Sequence, residues 1–441
     1  MADRIAIIGA GMAGCEAALF LAERGMDVEL YEMKPGHYSP AHKSPDFCEL
    51  VCSNSLKASR LSSAAGLMKH EMRMLGSHLL PVADTCAVPA GGALAVDRKL
   101  FSGRMTELVL REPHIKVLRE KVTDIDESRI TVIAAGPLLD SELAETLGKL
   151  TDGFLSFYDA AAPIVTRDSV DMEKLHAANR YGKGGEDYLN SFMNKEQYER
   201  FIDELVHARR AELHEHDKDQ KVYEGCMPIE KLAERGLDAA RFGPMKPVGL
   251  RDPATGHRPW AAVQLRKENE DGTMFNIVGF QTNLAFPEQK RVFGMLPGLE
   301  NAEFVRYGVM HRNSFIDSPK VLSRDQSLVG HPNVYVAGQL TGFEGYMESA
   351  LSGLIAARSI YARLMGREFE YPPVYTMTGA MLRYIHTENK DFQPMGANMG
   401  LLPDIGKRIR DKQERYEAYA ERAVKYMEEY IEKEDSHENS H

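Results

Sequence analysis

The sequence lacks several features that would place it in a specialised class of protein. No Cys-x-x-Cys pair occurs among its five cysteines, which argues against a zinc ribbon or a thioredoxin-type redox site. No apolar run is long enough to predict a membrane span. The N-terminus has neither a basic region nor a cleavable apolar segment. We therefore expect a cytoplasmic protein whose cysteines are reduced.

Positive charge is also scarce. The 54 Lys and Arg residues against 65 Asp and Glu give a net charge of −11, which excludes a wholly basic nucleic-acid coat protein. A local basic face stays possible, because phosphate contacts depend on where charge is placed. With 441 residues, 43% of them hydrophobic and 27% charged, the chain should form two or three globular domains without a disulfide or metal staple.

The first 31 residues have the pattern of a βαβ unit. Residues 4–9 form an apolar run closed by glycine, which predicts a buried parallel strand. Residues 12–24 have helical spacing of small and apolar side chains and end at Gly25, and residues 26–31 predict the second strand. This is the unit that a dinucleotide fold requires.

Further along, the pattern changes and then returns. Residues 61–80 have a helical pattern, and residues 130–135 predict another buried strand. Between about 155 and 325, extended stretches alternate with a charged helix at 194–213, whereas residues 333–337 restore the parallel-strand pattern. The sequence predicts an α/β fold, in which a doubly wound Rossmann-type nucleotide domain (1–155 and 325–441) is interrupted by an inserted α+β domain (156–324). Aromatic residues at helical spacing predict a helix near the C-terminus, followed by a frayed tail at 433–441.

A G-x-G-x-x-G motif lies between the first strand and the first helix. Its glycines permit the tight turn, the approach of backbone to a pyrophosphate and close helix packing, and the helix N-terminus favours the phosphate charge. Glu32 stands at the end of the second strand, where it can accept hydrogen bonds from ribose hydroxyls. The predicted cofactor-binding residues of this motif are Gly9, Ala10, Gly11, Met12, Ala13, Gly14 and Glu32.

Two later segments favour FAD over NAD as the dinucleotide. The strand ending at Gly136 resembles the second nucleotide-contact motif of flavoproteins, and Val336-Ala-Gly338-Gln339 resembles the third. No second G-x-G-x-x-G occurs, so a separate nicotinamide domain is not predicted. A nicotinamide reductant would have to visit the flavin without such a domain.

The cysteines differ in their surroundings. Cys15 and Cys86 are predicted to be structural. Cys48 and Cys52 would lie on one face if their segment were helical, which permits a redox pair. Cys52 is followed by hydrogen-bonding side chains and by Lys57 and Arg60, which favour a thiolate. Cys226 lies between glycine and proline, which suggests a fixed loop.

Basic residues form four groups that could hold the phosphates of a polyanion. The groups are Lys57, Arg60, Lys69 and Arg73; Lys246, Arg251, Arg258 and Arg266; Arg306, His311 and Arg312; and Lys407, Arg408, Arg410 and Lys412. Most such groups are solvated faces, and the sequence does not decide among them.

Five segments together resemble one family. They are Glu49-Leu-Val-Cys-Ser-Asn-Ser-Leu56, Pro89-Ala-Gly-Gly-Ala-Leu-Ala-Val-Asp-Arg98, Glu224-Gly-Cys-Met-Pro228, Met310-His-Arg-Asn-Ser314 and Ala337-Gly-Gln-Leu-Thr-Gly-Phe-Glu-Gly-Tyr-Met-Glu-Ser-Ala350. This combination closely resembles the folate- and FAD-dependent tRNA (uracil-5-)-methyltransferases, which make ribothymidine in the T-loop of tRNA. The resemblance extends from Ile5 to about residue 400.

The resemblance implies a reaction and its participants. The carbon comes from 5,10-methylenetetrahydrofolate, and FAD reduced by NAD(P)H supplies electrons. Cys52 and Cys226 match the family's two catalytic cysteines, with Cys52 favoured as the nucleophile, Cys226 favoured as the base, and the reverse assignment open. His311 matches a residue that stacks on the folate pterin. The resemblance implies that FAD binds to the domain formed by 1–155 and 325–441 and that the inserted domain (156–324) binds substrate and tRNA. We expect tRNA and folate as partners. We expect no membrane association, no bound metal and no obligate protein partner.

Three other functions are compatible with parts of the sequence. A larger flavoprotein that modifies wobble uridines with a GTPase partner shares the glycine-rich motifs, but 441 residues are too few for it. A flavin disulfide reductase could use Cys48 and Cys52, although such enzymes usually have a second nicotinamide domain. A flavoprotein that only binds its ligand is disfavoured by two reactive cysteines on loops.

Overall fold

The computed structural model describes residues 4–39, 42–51, 54–90, 92–178, 180, 188–211, 227–267, 272–389, 392–407 and 409–438. The chain divides into two compact units, Met1–Phe157 with Asn313–His441, and Tyr158–Arg312. The first unit is therefore discontinuous in sequence, and the second is continuous.

The N-terminal part of the first unit alternates strands and helices. Its elements are β1 (Ile5–Ile8), α1 (Met12–Glu23), β2 (Val28–Tyr31), β3 (Ser55–Ala58), α2 (Ala64–Met74), α3 (Leu79–Thr85), β4 (Ala87–Val88), β5 (Ala93–Val96), α4 (Arg98–Arg111), β6 (Ile115–Leu118), β7 (Thr131–Ile133) and α5 (Ser141–Leu150). Gly25 has φ +75°, as expected of the glycine that ends α1. The helical structure predicted over 61–80 is present as two helices, α2 and the start of α3, which are separated at Gly76 with φ +87°.

The second unit is built on a sheet of antiparallel strands. After β8 (Leu155–Ala161), its elements are β9 (Ile164–Thr166), β10 (Leu175–Ala177), β11 (Tyr188–Met193), α6 (Lys195–His207), α7 (Ile229–Ala233), α8 (Ala239–Phe242), β12 (Ala261–Lys267), β13 (Met274–Ile277), α9 (Phe286–Phe293) and β14 (Phe304–Arg306). The strand order is β10-β11-β12-β13-β9-β14. Its core includes Phe201, Phe280 and Phe293, all fully buried.

The chain then completes the first unit. Its remaining elements are β15 (Val309–Ile316), α10 (Ser318–Val321), β16 (Ser327–Leu328), β17 (His331–Val336), α11 (Tyr346–Leu364), α12 (Met377–His386) and α13 (Lys412–Glu438). A short 3₁₀ helix, Gly338–Thr341, lies between β17 and α11. The predicted frayed tail is wrong for 433–438, because α13 continues to Glu438.

The main sheet of the first unit has the order β16-β17-β7-β1-β2-β6. All its pairs are parallel except β16 with β17. The chain proceeds from β1 to β2 on one side, whereas β7 lies on the other side of β1. Ligands of open α/β sheets bind outside the carboxyl ends of strands at such a switch in strand order. The predicted α/β fold is confirmed.

Within the described ranges, no helix is both long and apolar enough to cross a membrane. The same residues contain no group of three or more His, Cys, Asp or Glu side chains arranged to hold a metal ion.

Candidate functional site

The carboxyl ends of four parallel strands are aligned at one edge of the main sheet. Ile8 of β1 is paired with Tyr31 of β2 and with Ile133 of β7, and Ile133 is paired with Val336 of β17. The segments that follow these strands therefore begin side by side. They contain all the predicted cofactor-binding residues, which sequence had located in separate motifs.

The turn after β1 is closed so tightly that two of its positions require glycine. Gly9 has φ +105°, and a Cβ there would stand 2.5 Å from the carbonyl oxygen of Ala134. A Cβ on Gly14 would stand 1.8 Å from the carbonyl oxygen of Gly9. Neither approach is possible for a larger residue without a shift of backbone. These glycines hold α1 against the sheet edge.

Gly11 is different, because its surroundings are open. A Cβ on Gly11 would meet no atom within 4 Å. Gly11 is the N-cap of α1, where no side chain caps the helix and the first turn carries no acidic residue. An open helix N-terminus with room beside its backbone is suited to an anion such as a pyrophosphate.

Glu32 supports the same turn from the neighbouring strand. Its carboxylate accepts hydrogen bonds from the backbone N–H of Ala10 at 3.1 Å and from the N–H of Lys34 at 2.9 Å. The side chain is buried, with 7% of the residue exposed. A carboxylate has about four acceptor positions, so these two bonds leave capacity for a ribose hydroxyl.

Gly136 and Gly338 follow β7 and β17 with positive φ angles of +76° and +79°. The N–H of Gly338 donates to the Ser352 hydroxyl of α11 at 3.0 Å, and a Cβ on Gly338 would approach that of Ala13 to 3.2 Å. Gln339 is partly buried beside them. The open Gly11 backbone, the uncapped helix and these close-packed turns fit an extended dinucleotide across the switch in strand order.

Sequence reasoning did not single out Gly353. A Cβ at this position of α11 would stand 2.1 Å from the carbonyl oxygen of Ala13 in α1. The two helices therefore meet backbone to backbone beside the glycine turn. A run of small residues in the α11 segment indicates close packing. The residue that Gly353 packs against, Ala13, lies about 340 positions earlier in the chain.

Both predicted catalytic cysteines, Cys52 and Cys226, lie outside the described residues. The helix considered for 48–52 is wrong at Cys48, where the chain is not helical and φ is +50°. Cys48 is 1% exposed, and its N–H donates to the carbonyl of Ala10 at 3.0 Å. Burial and the adjacent Cys48 thiol raise the pKa of Cys15 well above its usual range. These surroundings make Cys48 a support of the glycine turn and do not favour a solvent-facing redox role.

The described residues on both sides of the Cys226 segment are held by one short stretch, Gln281–Ala285. Before the segment, the N–H of Ala211 donates to the carbonyl of Asn283 at 2.7 Å. After it, the N–H of Ile229 donates to Gln281 at 2.9 Å, and the buried Glu230 carboxylate accepts from the Thr282 hydroxyl at 2.7 Å. The described residues that flank 212–226 are therefore fixed to the same stretch.

His311 belongs to β15, but its side chain lies outside the described part of the structure. Its predicted stacking on a folate remains a prediction.

Three of the four residues in the first basic group are engaged with other parts of the protein, and Arg60 is exposed. Lys57 contacts Glu348 at 2.5 Å, Lys69 is buried, and Arg73 forms a bidentate pair with Asp84 at 2.8 and 2.9 Å. In the second group, by contrast, Arg251 and Arg258 are exposed. The second group is therefore the better candidate for phosphate contacts.

A cavity of about 420 Å³ lies elsewhere, among the C-terminal halves of α1, α2 and α11 and the end of α13. It is lined by aromatic rings and by charges of both signs, including Phe20, Tyr361, Arg24, Arg358 and Glu434. Helix C-termini carry the negative end of the helix dipole, which disfavours a pyrophosphate. The glycine turn is therefore the better candidate site for a dinucleotide.

Comparison with known proteins adds four findings. Residues 4–368 match the family model described as glucose inhibited division protein A. The methylenetetrahydrofolate–tRNA-(uracil-5-)-methyltransferase TrmFO of Acetivibrio thermocellus is 52% identical over 98% of this chain and 100% of its own length. The protein of the same name from Staphylococcus epidermidis is 51% identical over 98% of this chain and 99% of its own length. In a crystal structure of Aquifex aeolicus GidA, the matched residues are 16% identical to this chain, and the TM-score is 0.48. The match covers 98% of this chain and 76% of the GidA chain.

Proposed function

This chain belongs to the methylenetetrahydrofolate–tRNA-(uracil-5-)-methyltransferases, and we propose on that basis how its residues divide the reaction. The enzyme methylates C5 of uracil in tRNA, with 5,10-methylenetetrahydrofolate as the carbon donor and FAD as its flavin. The observation that carries the assignment of the flavin is the open Gly11 backbone at the uncapped N-terminus of α1.

The residues of the glycine turn hold the dinucleotide. The N-terminus of α1 and the backbone beside Gly11 bind the pyrophosphate, and Glu32 accepts from a ribose hydroxyl. The turns at Gly136, Gly338 and Gln339 contact the remainder of the cofactor. Bound FAD, reduced by NAD(P)H, supplies the electrons that turn the transferred methylene into a methyl group. The nicotinamide coenzyme acts as a visiting reductant, because the sequence has no second glycine fingerprint.

Covalent catalysis addresses the low reactivity of uracil C5. The Cys52 thiolate adds to C6, and the electron pair of the C5–C6 double bond makes C5 a nucleophile. C5 then forms a bond to the one-carbon unit. Cys226 removes the C5 proton as the carrier nitrogen leaves with the electron pair of its bond to the one-carbon unit, which gives an exocyclic methylene on C5. A hydride added to that methylene makes the methyl group, and the Cys52 thiolate leaves as the C5–C6 double bond is restored. Exchange of the two cysteine roles is the alternative assignment.

The substrates impose the remaining roles. The T-loop uracil leaves its stack to reach the site, as a base must for chemistry on its ring. His311 stacks on the folate pterin, and the basic residues of the second unit contact tRNA phosphates. The enzyme acts in the cytoplasm, where tRNA and reduced folate are available, and requires no obligate protein partner.

A carbon-transfer assay tests this function. Purified protein should show flavin absorption bands and should move label from methylene-labelled tetrahydrofolate into unmodified tRNA when NADPH is added. S-adenosylmethionine is the control donor and should transfer no label. Cys52→Ala and Cys226→Ala should each retain FAD and lose transfer.

The same assay separates the reductase function. Cys48→Ser should keep most of the transfer activity, because Cys48 is buried. A yellow protein that oxidises NADPH without labelling tRNA would contradict the methyltransferase function. Loss of turnover in Cys48→Ser equal to that in Cys52→Ser would favour a disulfide reductase.

A further inference from the structure

An ion pair connects the strand that follows Cys52 with the N-terminus of α11. Lys57 lies in β3, and its Nζ stands 2.5 Å from Oε1 of Glu348 and 3.3 Å from the carbonyl oxygen of Glu344. The Glu348 side chain is fully buried, whereas 45% of the Lys57 side chain is exposed. The two residues are 291 positions apart in the chain.

The backbone around Lys57 is held in an uncommon conformation. Lys57 has φ +65°, in the left-handed region that costs a non-glycine residue on the order of 1 kcal/mol or more. The pairing of β3 with β5 shifts register between Ser55 and Ala58, as a β-bulge does. Such strain persists only where surrounding contacts enforce it.

A buried lysine supplies one of those contacts. The Nζ of Lys69 donates to the carbonyl oxygens of Leu56 at 2.5 Å and Lys57 at 3.1 Å. Lys69 is 1% exposed, and burial lowers its pKa to about 8. The ammonium group therefore fixes two successive carbonyls at the bulge.

Two glycines leave the space that the ion pair occupies. A Cβ on Gly345 would stand 2.2 Å from Oε2 of Glu348 and 2.8 Å from Nζ of Lys57. A Cβ on Gly396 would stand 3.2 Å from the same Nζ. The N–H of Ala397 donates to Oε1 of Glu348 at 3.2 Å, whereas Oε2 has no hydrogen-bond partner among the described residues. The Glu348 carboxylate is thus enclosed and depends on Lys57 for its charge balance.

We propose that the Lys57–Glu348 ion pair is a positioning device, which holds the strand after Cys52 against the N-terminus of α11. This inference rests on the proposed function, in which Cys52 is the nucleophile and the turns before α11 hold the flavin. Cys52 is only two residues from Asn54, which bonds with Val96 of β5 at 2.9 and 3.2 Å. Whatever fixes residues 54–57 therefore limits the reach of the Cys52 thiol.

Stability alone does not account for the arrangement. Because Glu348 is buried, the loss of its hydration offsets much of the attraction in the ion pair, and this pair also requires a strained lysine and two glycines. A misplacement of about 1 Å, however, costs up to about a hundredfold in rate. The arrangement is explained by placement of a reacting group.

Three holoenzyme variants test the proposal: Lys57→Met, Glu348→Gln and the double variant. The single Lys57→Met change leaves a buried carboxylate unpaired and can impair folding, whereas the double variant removes both charges. We expect the double variant to keep its FAD and to lose about tenfold to a hundredfold in kcat, with KM for tRNA within about threefold. Lys57→Arg keeps the positive charge, so its kcat should lie between that of the double variant and that of wild type. Lys149→Met, at an exposed ion pair with Glu145, is the matched control and should behave like wild type.

A second readout follows the thiol directly. The rate at which iodoacetamide modifies Cys52, measured by peptide mass spectrometry across pH, should change in the double variant and stay unchanged in Lys149→Met. A folded, flavin-loaded double variant with wild-type kcat and wild-type Cys52 alkylation would overturn the proposal. Loss of kcat only in proportion to lost flavin would also overturn it. If wild type labels no tRNA but Cys52 alkylation still depends on the pair, the function fails and the positioning role stands.

Discussion

The carboxylate of Glu32, at the end of β2, accepts a hydrogen bond from the backbone N–H of Ala10 in the turn after β1, at 3.1 Å. Glu32 is predicted to bind a ribose hydroxyl, and it thus also supports the turn that is predicted to bind phosphate. Glu32→Ala removes both functions, and one lost charged hydrogen bond costs about 1.5–3 kcal/mol. We expect FAD affinity to fall by about tenfold or more. Flavin fluorescence titration of the apoprotein measures the change, and an unchanged affinity would contradict it.

Substitutions at two glycines of the turn should have different effects, one on FAD binding and the other on stability. Gly11→Val places its side chain in open space, so the apoprotein should keep its wild-type Tm while FAD binding is lost. Gly14→Ala places a Cβ 1.8 Å from the Gly9 carbonyl, so the fold itself should lose about 1–3 kcal/mol. Thermal unfolding of both apoproteins separates the effects. A large drop in Tm for Gly11→Val would contradict the open surroundings of Gly11.

Glu71 should make stability depend on pH in an unusual direction. It is fully buried, accepts hydrogen bonds from Met377 and Thr378 at the start of α12, and burial raises its pKa to about 7. The folded state therefore binds the proton more tightly than the unfolded state, whose carboxyl titrates near 4.5. The stability from protonated Glu71 is complete below pH 4.5 and is lost as pH rises through 7.

Glu71→Gln cannot ionise and should escape this loss. Its free energy of unfolding, relative to wild type, should rise by up to about 3 kcal/mol between pH 4.5 and pH 8. Chemical denaturation at several pH values checks the difference, with the exposed Glu107→Gln as the control for loss of one charge. A difference that stays flat across this range would contradict the assignment.

The second unit should supply salt-dependent contacts to tRNA. Arg251 and Arg258 are exposed on a loop closed by the hydrogen bond from the Asp252 N–H to the carbonyl of His257 at 2.8 Å. Asp252 is the only acidic residue in 241–260, and its carboxylate is engaged by Ala254 and Thr255 within the loop. The Arg251→Ala/Arg258→Ala variant should bind tRNA more weakly and lower the salt slope by about one to two.

The fourth basic group offers a comparison for this experiment. Lys407 and Arg410 are also exposed, but acidic residues, including Asp404, Asp411 and Glu414, are interspersed with them. Lys407→Ala/Arg410→Ala should therefore change tRNA affinity less. The opposite ranking of the two double variants would place the RNA contacts on the first unit.

Local sequence predicted the elements of the nucleotide fold because each has its own signal. Consecutive residues encode the glycine motif, the helix ending at Gly25 and the strand before Gly338. The break between α2 and α3 was missed, since the apolar spacing continues through Gly76. The order of the sheet was not predictable either, because the place of β7 between β1 and β17 depends on contacts between distant segments.

The candidate site was predicted to a similar extent. The cofactor residues come from motifs with a known physical role, and the structure aligns them at one sheet edge. The roles of Cys52 and Cys226 came from family resemblance and remain predictions. Lys57 and Lys69 were noted in sequence only as members of a basic group. Their contacts, and the part of Glu348, could not be predicted, because the partner of Lys57 lies 291 positions away.

The discontinuity of the first unit has a consequence for synthesis on the ribosome. β7 cannot pair with β17 until residue 336 has been synthesised, whereas the second unit, Tyr158–Arg312, can complete its own sheet earlier. During that interval the nascent first unit presents β7 as an unpaired strand edge, which is a site for wrong pairing with other chains. The interrupted order of the chain thus makes the flavin-binding unit the last part to fold and the part that most needs protection while it waits.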